Sequence, residues 1–405
     1  MHLPEDFIRH TREIMGDDLF ATLTDALAQE PPVSIRMNPW KWNGDRKDIA
    51  LYQDDVPWCP NGLYLRERPN FTFDPLLHAG VYYVQEASSM FVDRVLRQYV
   101  KEPVRMLDLC AAPGGKTTCA ASALPEGSIL YSNEPIRNRA QILSENTQKW
   151  MAGTQCETTI ITTNCYPKDY KKTKTTFDVI LCDVPCSGEG MFRKDEGAIG
   201  EWSQRNVKKC QALQREIVET IWPCLRPGGL LIYSTCTFNT HENEENVRWI
   251  LDNLDATILP VETEDAWGIT GSLLEEFHQP VYRFIPGKTI GEGLFMAAIR
   301  KGQEEGGPCS LPSAFTILEP TFLNDLHEAS AAPRAELTYD QAISYLRREA
   351  ITLPPDTPRG IVVLTYRDAP LGLAKNIGNR ANNLYPKEWR IKTTHIPTIK
   401  YSAIP

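Results

Sequence analysis

Val104-Arg-Met-Leu-Asp-Leu-Cys110 runs directly into Ala111-Ala-Pro-Gly-Gly-Lys-Thr117, and the reading of this junction decides the fold. A mostly apolar run bounded by a glycine turn reads as a buried strand, and the small residues that follow read as a helix. The same rhythm continues outward. Ser128 to Glu134 forms the next strand, with a helix around Arg137 to Lys149 behind it. Thr158 to Thr163 is a third strand and Phe177 to Asp183 a fourth. A helix from about Val207 to Leu225 then leads through Arg226-Pro-Gly-Gly229 into a fifth, Leu230 to Ser234. Strands and helices alternating at this length specify an α/β fold, a doubly wound and mostly parallel sheet with helices on both faces.

The flanks differ. Pro4 to Leu27 reads as one or two helices, Val33 to Asn38 as a short alternating strand, and Trp40 to Tyr83 as an aromatic stretch with turns at Asn43-Gly44 and Asn61-Gly62. That makes residues 1–80 a small α+β N-terminal domain ahead of a core spanning 81–301. Gly302 to Pro308 is rich in glycine and glutamate, so 302–334 reads as a linker. The last segment, 335–405, opens with a helix over Thr338 to Arg348 and a strand over Gly360 to Tyr366, then turns glycine- and asparagine-rich.

A chain of 405 residues fits two or three domains, and 42% hydrophobic with 23% charged residues is enough to bury a sizeable core. It holds no run of eighteen apolar residues, so no membrane partner is expected. Met1 to Asp6 lacks the basic and apolar blocks of a signal peptide, which points to the cytoplasm. Eleven cysteines are scattered without zinc-ribbon spacing or nearby histidines, so no metal is expected and most are small buried hydrophobes. The net charge of −9 argues against indiscriminate coating of nucleic acid. From Arg359 to Lys400, however, eight Lys or Arg face only two acids, an asymmetry that suits an RNA partner for the tail.

In open parallel sheets, ligands bind beyond the carboxyl ends of the strands near the topological switch point. Cys110, Ala111, Ala112, Pro113, Gly114, Gly115 and Lys116 occupy such a place, with small residues for close approach and helix amides for a carboxylate. Glu134 ends the second strand, where an acid hydrogen-bonds ribose hydroxyls. These features favour an adenosine-containing cofactor and leave NAD open. Two cysteines add the deciding chemistry. Asp183-Val-Pro-Cys186-Ser-Gly188 follows the fourth strand and Tyr233-Ser-Thr-Cys236-Thr237 the fifth, so adjacent strands bring both thiols to one rim.

Asp108 to Lys116, Asp183 to Met191 and Ser234 to Thr237 resemble, as a set, the motifs of the NOL1/NOP2/Sun family of RNA 5-cytosine methyltransferases. The extension Gly188-Glu-Gly-Met-Phe-Arg-Lys194 is similar to its bacterial branch that acts on 16S ribosomal RNA. The resemblance spans nearly the whole chain. Pro31 to Asn38 looks like the family's N-terminal module, and Tyr83 to Met90 like the segment that precedes the core. Gly287 to Arg300 looks like the core's closing strand, and Leu371, Gly372, Lys375, Gly378 to Arg380 and Tyr385 to Lys387 like a PUA-like tail. It implies a core of the class I S-adenosylmethionine methyltransferase type.

The implied reaction explains the thiols. Carbon 5 of cytosine is a poor nucleophile until a thiolate adds to carbon 6, after which it can attack a sulfonium methyl group. By the resemblance Cys236 is the nucleophile and Cys186 assists product release. Asp183 contacts the cytosine, and Lys116 is the candidate cation near the thiol. Cys110 to Lys116 and Glu134, with Asp183 and Arg139 in support, hold S-adenosyl-L-methionine. A DNA cytosine enzyme would use the proline-linked cysteine as nucleophile; the second one, in Ser234-Thr-Cys-Thr237, favours RNA. Where the family carries an acid after the third strand, this chain has Asn164, which can accept a hydrogen bond through its carbonyl. His241 reads as part of a helix start.

The expected partner is 16S ribosomal RNA or the 30S subunit, bound by a monomer. Transfer RNA, or a non-catalytic role in ribosome assembly, are the alternatives. RNA recognition is expected from the N-terminal module, Trp40, Trp42 and Trp58, and the basic tail. Removing residues from about 335 onward is expected to weaken RNA binding while cofactor binding survives.

Overall fold

The computed structural model describes residues 2–303, 315–393 and 402. Part of the expected linker, 304–314, and Lys400 of the basic tail lie outside the described residues. The strands in chain order are β1 (Val33–Met37), β2 (Tyr52–Asp55), β3 (Gly62–Leu65), β4 (Tyr82–Val84), β5 (Arg105–Asp108), β6 (Ile129–Asn133), β7 (Thr159–Thr163) and β8 (Phe177–Asp183). They continue as β9 (Leu225–Thr235), β10 (Ala256–Leu259), β11 (Tyr282–Phe284), β12 (Leu294–Lys301), β13 (Arg334–Glu336), β14 (Gly360–Tyr366), β15 (Ala369–Asn376) and β16 (Ala381–Asn383).

The core sheet runs β10-β12-β9-β8-β5-β6-β7, with β11 also on β12. From β9 to β7 every neighbour is parallel, as the apolar runs require of strands buried on both faces. The chain leaves β5 toward β6 and β7, then returns to lay β8 and β9 on its other side. The switch point therefore lies at β5, whose last residue is Asp108. The sheet is closed by antiparallel β12, paired along β9 from Phe295↔Thr235 to Arg300↔Leu230. The fifth strand carries an irregularity at its start: Phe177 pairs with Leu225 and Val179 with Leu230, so Arg226 to Gly229 interrupt the ladder and the continuous pairing begins at Leu230, as the sequence predicts.

The N-terminal sheet has the order β2-β3-β1-β4, so Tyr82–Val84, beyond the expected boundary at residue 80, completes it. Arg36 of β1 is wholly buried and ties this sheet to the core. Its Nε donates to Gln85 Oε1 (2.8 Å), an Nη donates to Thr118 Oγ1, and its guanidinium lies 4.4 Å from the Trp150 ring centroid. The first helix, Glu5–Leu27, is broken at Gly16, whose φ of 75° is non-helical. It packs not on this sheet but on the core's loops, with Phe7 5.1 Å from Phe192 and 5.3 Å from Trp202, centroid to centroid. Phe20, Leu23, Phe238 and Ile285 share that cluster.

The C-terminal sheet has the order β13-β14-β15-β16. Its helix, Tyr339–Leu346, starts at a capping box formed by Thr338 and Gln341. This unit does not have a core of its own. Leu63, Phe73, Leu76 and Tyr82 from the N-terminal part and Ile343, Tyr345, Leu346, Val362 and Leu364 from the C-terminal part belong to one buried cluster. Tyr339 donates its hydroxyl to the Phe73 carbonyl (2.9 Å). The described part of the expected linker is ordered too. It holds the helix Thr321–Glu328, and Thr316 and Leu318 bond the chain at Asn164 and Thr162, extending the sheet edge past β7. Trp58 is buried among Trp267 and Phe284, so it is core rather than an RNA-stacking surface, while Trp40 and Trp42 are half-buried.

Candidate active site

Three neighbouring strands end on one rim. Register sets Asp183, the last residue of β8, beside Ser234 of β9, two residues before Cys236. Ser234 Oγ donates to Asp183 Oδ1 (2.7 Å) and Lys116 Nζ to Oδ2 (2.7 Å). Burial alone would lower the basicity of Lys116, but Asp183 beside it raises it above the ordinary value, and Cys236 is among the groups acting on it electrostatically. Lys116 therefore stays an ammonium held at the rim.

The loops after β8 and β9 bring Cys186 Sγ and Cys236 Sγ to 3.2 Å. The hydrogen bond to Cys236, then burial, pushes the Cys186 thiol well above its usual range. What holds the loops together is a buried polar clamp. Gly190 N donates to the Cys236 carbonyl (2.9 Å), and the hydroxyls of Ser187 and Thr237 meet at 2.9 Å. Glu189 accepts from the Asn239 amide, and Glu242 from the Ser187 amide, each at 3.0 Å. The Asn239 side chain donates to both carboxylates (3.0 and 2.9 Å), and Gln214 donates to Glu242 (2.7 Å). An unsatisfied buried carboxylate would be costly, but several donors on each turn the two acids into a rigid brace. Burial, and Glu189 nearby, raise Glu242 above the usual carboxylate range.

The sequence reading missed Glu189, Asn239 and Glu242. The helix expected around Asn239 to Asn246 begins only at Glu244, because the residues before it turn inward to the clamp. His241 faces Glu245 (Nδ1 to Oε1 2.7 Å) and stacks on His10 of the first helix.

Along the loop from Cys110 to Lys116, Gly114 takes φ 115°, and a Cβ there would come 3.3 Å from Leu143. Asn146 donates to the Pro113 carbonyl (2.8 Å) and Arg139 to the Ala112 carbonyl (3.2 Å). Arg139 also pairs with Glu134 (3.2 Å), which ties both to the surroundings of the loop. Asn164 spends its side-chain amide on the carbonyls of Glu134 (2.7 Å) and Pro135 (2.9 Å), which fixes the end of β6. Asp108 is the residue the sequence reading quoted without choosing. Its Oδ2 accepts from Thr117 (2.7 Å), while Oδ1 is buried without a partner. Burial, opposed by Thr117 and aided by Asp183, pushes its carboxyl up to about 7.

An adenosyl–amino acid ligand fits these residues. The orphaned Asp108 oxygen suits an ammonium, the helix N-terminus at Gly115 suits a carboxylate, and Glu134 suits ribose hydroxyls. Among the described residues the one cluster able to hold a metal is Cys59, Asp93 and Cys119, all buried and separate from this rim.

Residues 95–300 match the family model described as 16S rRNA methyltransferase RsmB/F. The chain belongs to this family. Two further models match the RsmB/F chain's flanks, the N-terminal domain of 16S rRNA methyltransferase RsmF at residues 3–87 and the methyltransferase RsmF PUA domain at 332–391. The ribosomal RNA small subunit methyltransferase F of Cronobacter sakazakii is 31% identical, covering 95% of this chain and 96% of its own length. The protein of the same name from Escherichia coli O81 is 32% identical, covering 96% of each. Among solved structures, a methyltransferase homolog from Pyrococcus horikoshii is 27% identical with a TM-score of 0.60, covering 72% of this chain and 93% of that one. NSun6 from the same organism, at 19% identity and a TM-score of 0.61 over 74% and 99%, shares the fold. As an RsmB/F member the chain is an RNA methyltransferase, and S-adenosyl-L-methionine is its cofactor.

The Asp108 carboxyl yields a prediction. Its pKa in the folded chain, about 7, lies well above the ordinary aspartate value, so between the two the folded form holds a proton that the unfolded form releases. The contribution of Asp108 to ligand-free stability should therefore be fully present below about pH 4 and be lost as pH rises through 7, by up to about 4 kcal/mol. Asp108→Asn should flatten that slope in melting curves from pH 5 to 8. It should also weaken S-adenosyl-L-methionine binding roughly 10- to 100-fold in calorimetry, the weight of a hydrogen bond to a charged group. An unchanged slope would show that Asp108 is not the titrating group.

Proposed function

We propose that the chain methylates carbon 5 of a cytosine in 16S ribosomal RNA, with Cys236 adding to the base and Cys186 assisting release. The observation that carries this is the 3.2 Å contact of two thiols on adjacent strand ends, beside the Asp183–Lys116 pair. Cys236 as thiolate bonds to carbon 6 and moves ring electrons toward the nitrogen edge, where Asp183 contacts the cytosine. The Lys116 ammonium supplies the positive field that favours a thiolate at the rim. S-adenosyl-L-methionine, held by Asp108, Cys110 to Lys116 and Glu134, supplies an electrophilic methyl group. In the last step Cys186, as thiolate, takes the carbon 5 proton, and the electrons of that C–H bond restore the carbon 5–carbon 6 double bond. The carbon 6–sulfur bond breaks, and Cys236 departs as thiolate. Cys186, in contact with the attacking sulfur, is placed to assist this elimination.

The 16S substrate is supported by the names of relatives that align with 95% and 96% of the chain, and a reaction on it would be cytoplasmic. The test is transfer of a tritiated methyl group to purified 16S RNA, 30S subunits and transfer RNA, followed by bisulfite sequencing. Label in 16S RNA or 30S subunits, with one bisulfite-resistant cytosine, is expected. Label confined to transfer RNA would move the substrate, and no label in any RNA would leave an assembly factor.

A further inference from the structure

We propose that a cleft beside the two cysteine loops takes a single-stranded RNA nucleotide next to the target cytosine, an inference that rests on the RNA-methylating reading above. The cleft, of about 480 Å³, lies between the N-terminal sheet and the segment that runs on from Cys186. One wall is the sheet, with Tyr64 of β3 and the following Arg66 and Arg68; the other carries Lys194 and Ile290. The walls are fastened to each other, since Tyr64 donates its hydroxyl to the Ile290 carbonyl (2.8 Å).

The second wall is continuous with the reaction rim. Gly190 is bonded to the Cys236 carbonyl, and four residues later Lys194 lines the cleft. The side chain of Arg193 between them is buried, donating to Glu292 (3.0 Å), to the Gly291 carbonyl and to the Ala26 carbonyl (3.1 Å). That anchor fixes Lys194 relative to the thiols. An RNA strand with its target base at Cys236 therefore has a neighbouring nucleotide within reach of a preformed cavity.

The chemistry fits one unpaired nucleotide. Arg66, Arg68 and Lys194 are all exposed, so three cations next to the reaction rim can reach the phosphates of a bound RNA strand. Three acids also line the cleft, Glu30, Glu67 and Glu86. Glu86 is committed, since its carboxylate accepts from the amides of Ser88, Ser89 and Glu292. Lys194 stands 3.7 Å from Glu292, but that carboxylate is already paired with Arg193 at 3.0 Å, so the lysine's charge remains for a ligand. The Arg68 guanidinium lies 5.3 Å from the centroid of the buried Phe71 ring, which holds this cation at the edge of the cleft. The volume is of small-ligand size and excludes a duplex.

The test is the triple variant Arg66→Ala/Arg68→Ala/Lys194→Ala, with its melting temperature checked against the parent. KM for substrate RNA should rise about tenfold or more while kcat at saturating RNA and cofactor affinity stay within about twofold. The slope of log binding constant against log salt should drop by about 2 if all three cations meet phosphates. In the parent chain, 4-thiouridine placed on either side of the target cytosine should crosslink to peptides carrying residues 64–68 or 194. Unchanged KM and salt slope, or crosslinks only elsewhere, would overturn the cleft assignment. Absence of methyl transfer by the parent chain would instead overturn the reading beneath it.

Discussion

Cys236→Ala should abolish methyl transfer, by about 10⁴-fold or more, while Cys186→Ala should accumulate a covalent protein–RNA complex that survives denaturing gels. The asymmetry follows from where each thiol enters the reaction. Without the Cys236 sulfur no bond to carbon 6 forms, carbon 5 stays unreactive, and losses on the scale of removing a nucleophile are expected. Without Cys186 that bond still forms and the methyl group still transfers, but elimination stalls and the chain remains attached. Both side chains are small and the loops carrying them are braced by Glu189, Asn239 and Glu242, so neither truncation should disturb the other loop. Cofactor binding measured on both variants should match the parent, because the loop from Cys110 to Lys116 belongs to a different strand end. The result that would sink the assignment is loss of adduct in Cys186→Ala alone, since Cys186 would then be the attacking thiol.

The parts of this site legible in the sequence are those dictated by local physics. Buried parallel strands must be apolar runs, which is why β5, β6, β7 and β8 could be placed within a residue or two. Gly114 marks a backbone position that a side chain would crowd, and Cys186 and Cys236 follow their strands closely enough for topology alone to join them. The clamp was illegible for a different reason. Asn239 and Glu242 have the composition of a helix start, and only the inward turn of the loop makes them a brace between two cysteines. Asp108 likewise reads as any strand-ending acid until its surroundings show that one oxygen lacks a donor.

Shared cores are the hardest feature to read, because a buried phenylalanine or leucine has the same pattern whether it packs on its own unit or on another. The sequence alone suggests a separable tail. The shared cluster points to a different outcome for removal of residues from 335 onward: loss of stability across the N-terminal module as well as loss of the basic face. Phe73, Leu76 and Tyr82 would lose Ile343, Tyr345, Leu346 and other covering side chains. Each fully buried apolar side chain is worth about 1.5–3 kcal/mol, so uncovering several costs more than a typical domain can absorb without a large shift. Melting of the shortened chain should begin roughly 10 °C or more below the parent, with cofactor binding reduced because Arg36 of β1 bonds Thr118 in the cofactor-side helix. Leu76→Ala in the full chain, expected to cost about 2–5 kcal/mol, reports on the same packing without deleting anything. Arg359→Glu/Lys375→Glu, by contrast, should weaken RNA binding with little change in melting, since both side chains are exposed. A shortened chain that melts with the parent and binds cofactor equally well would mean that the two units fold independently after all.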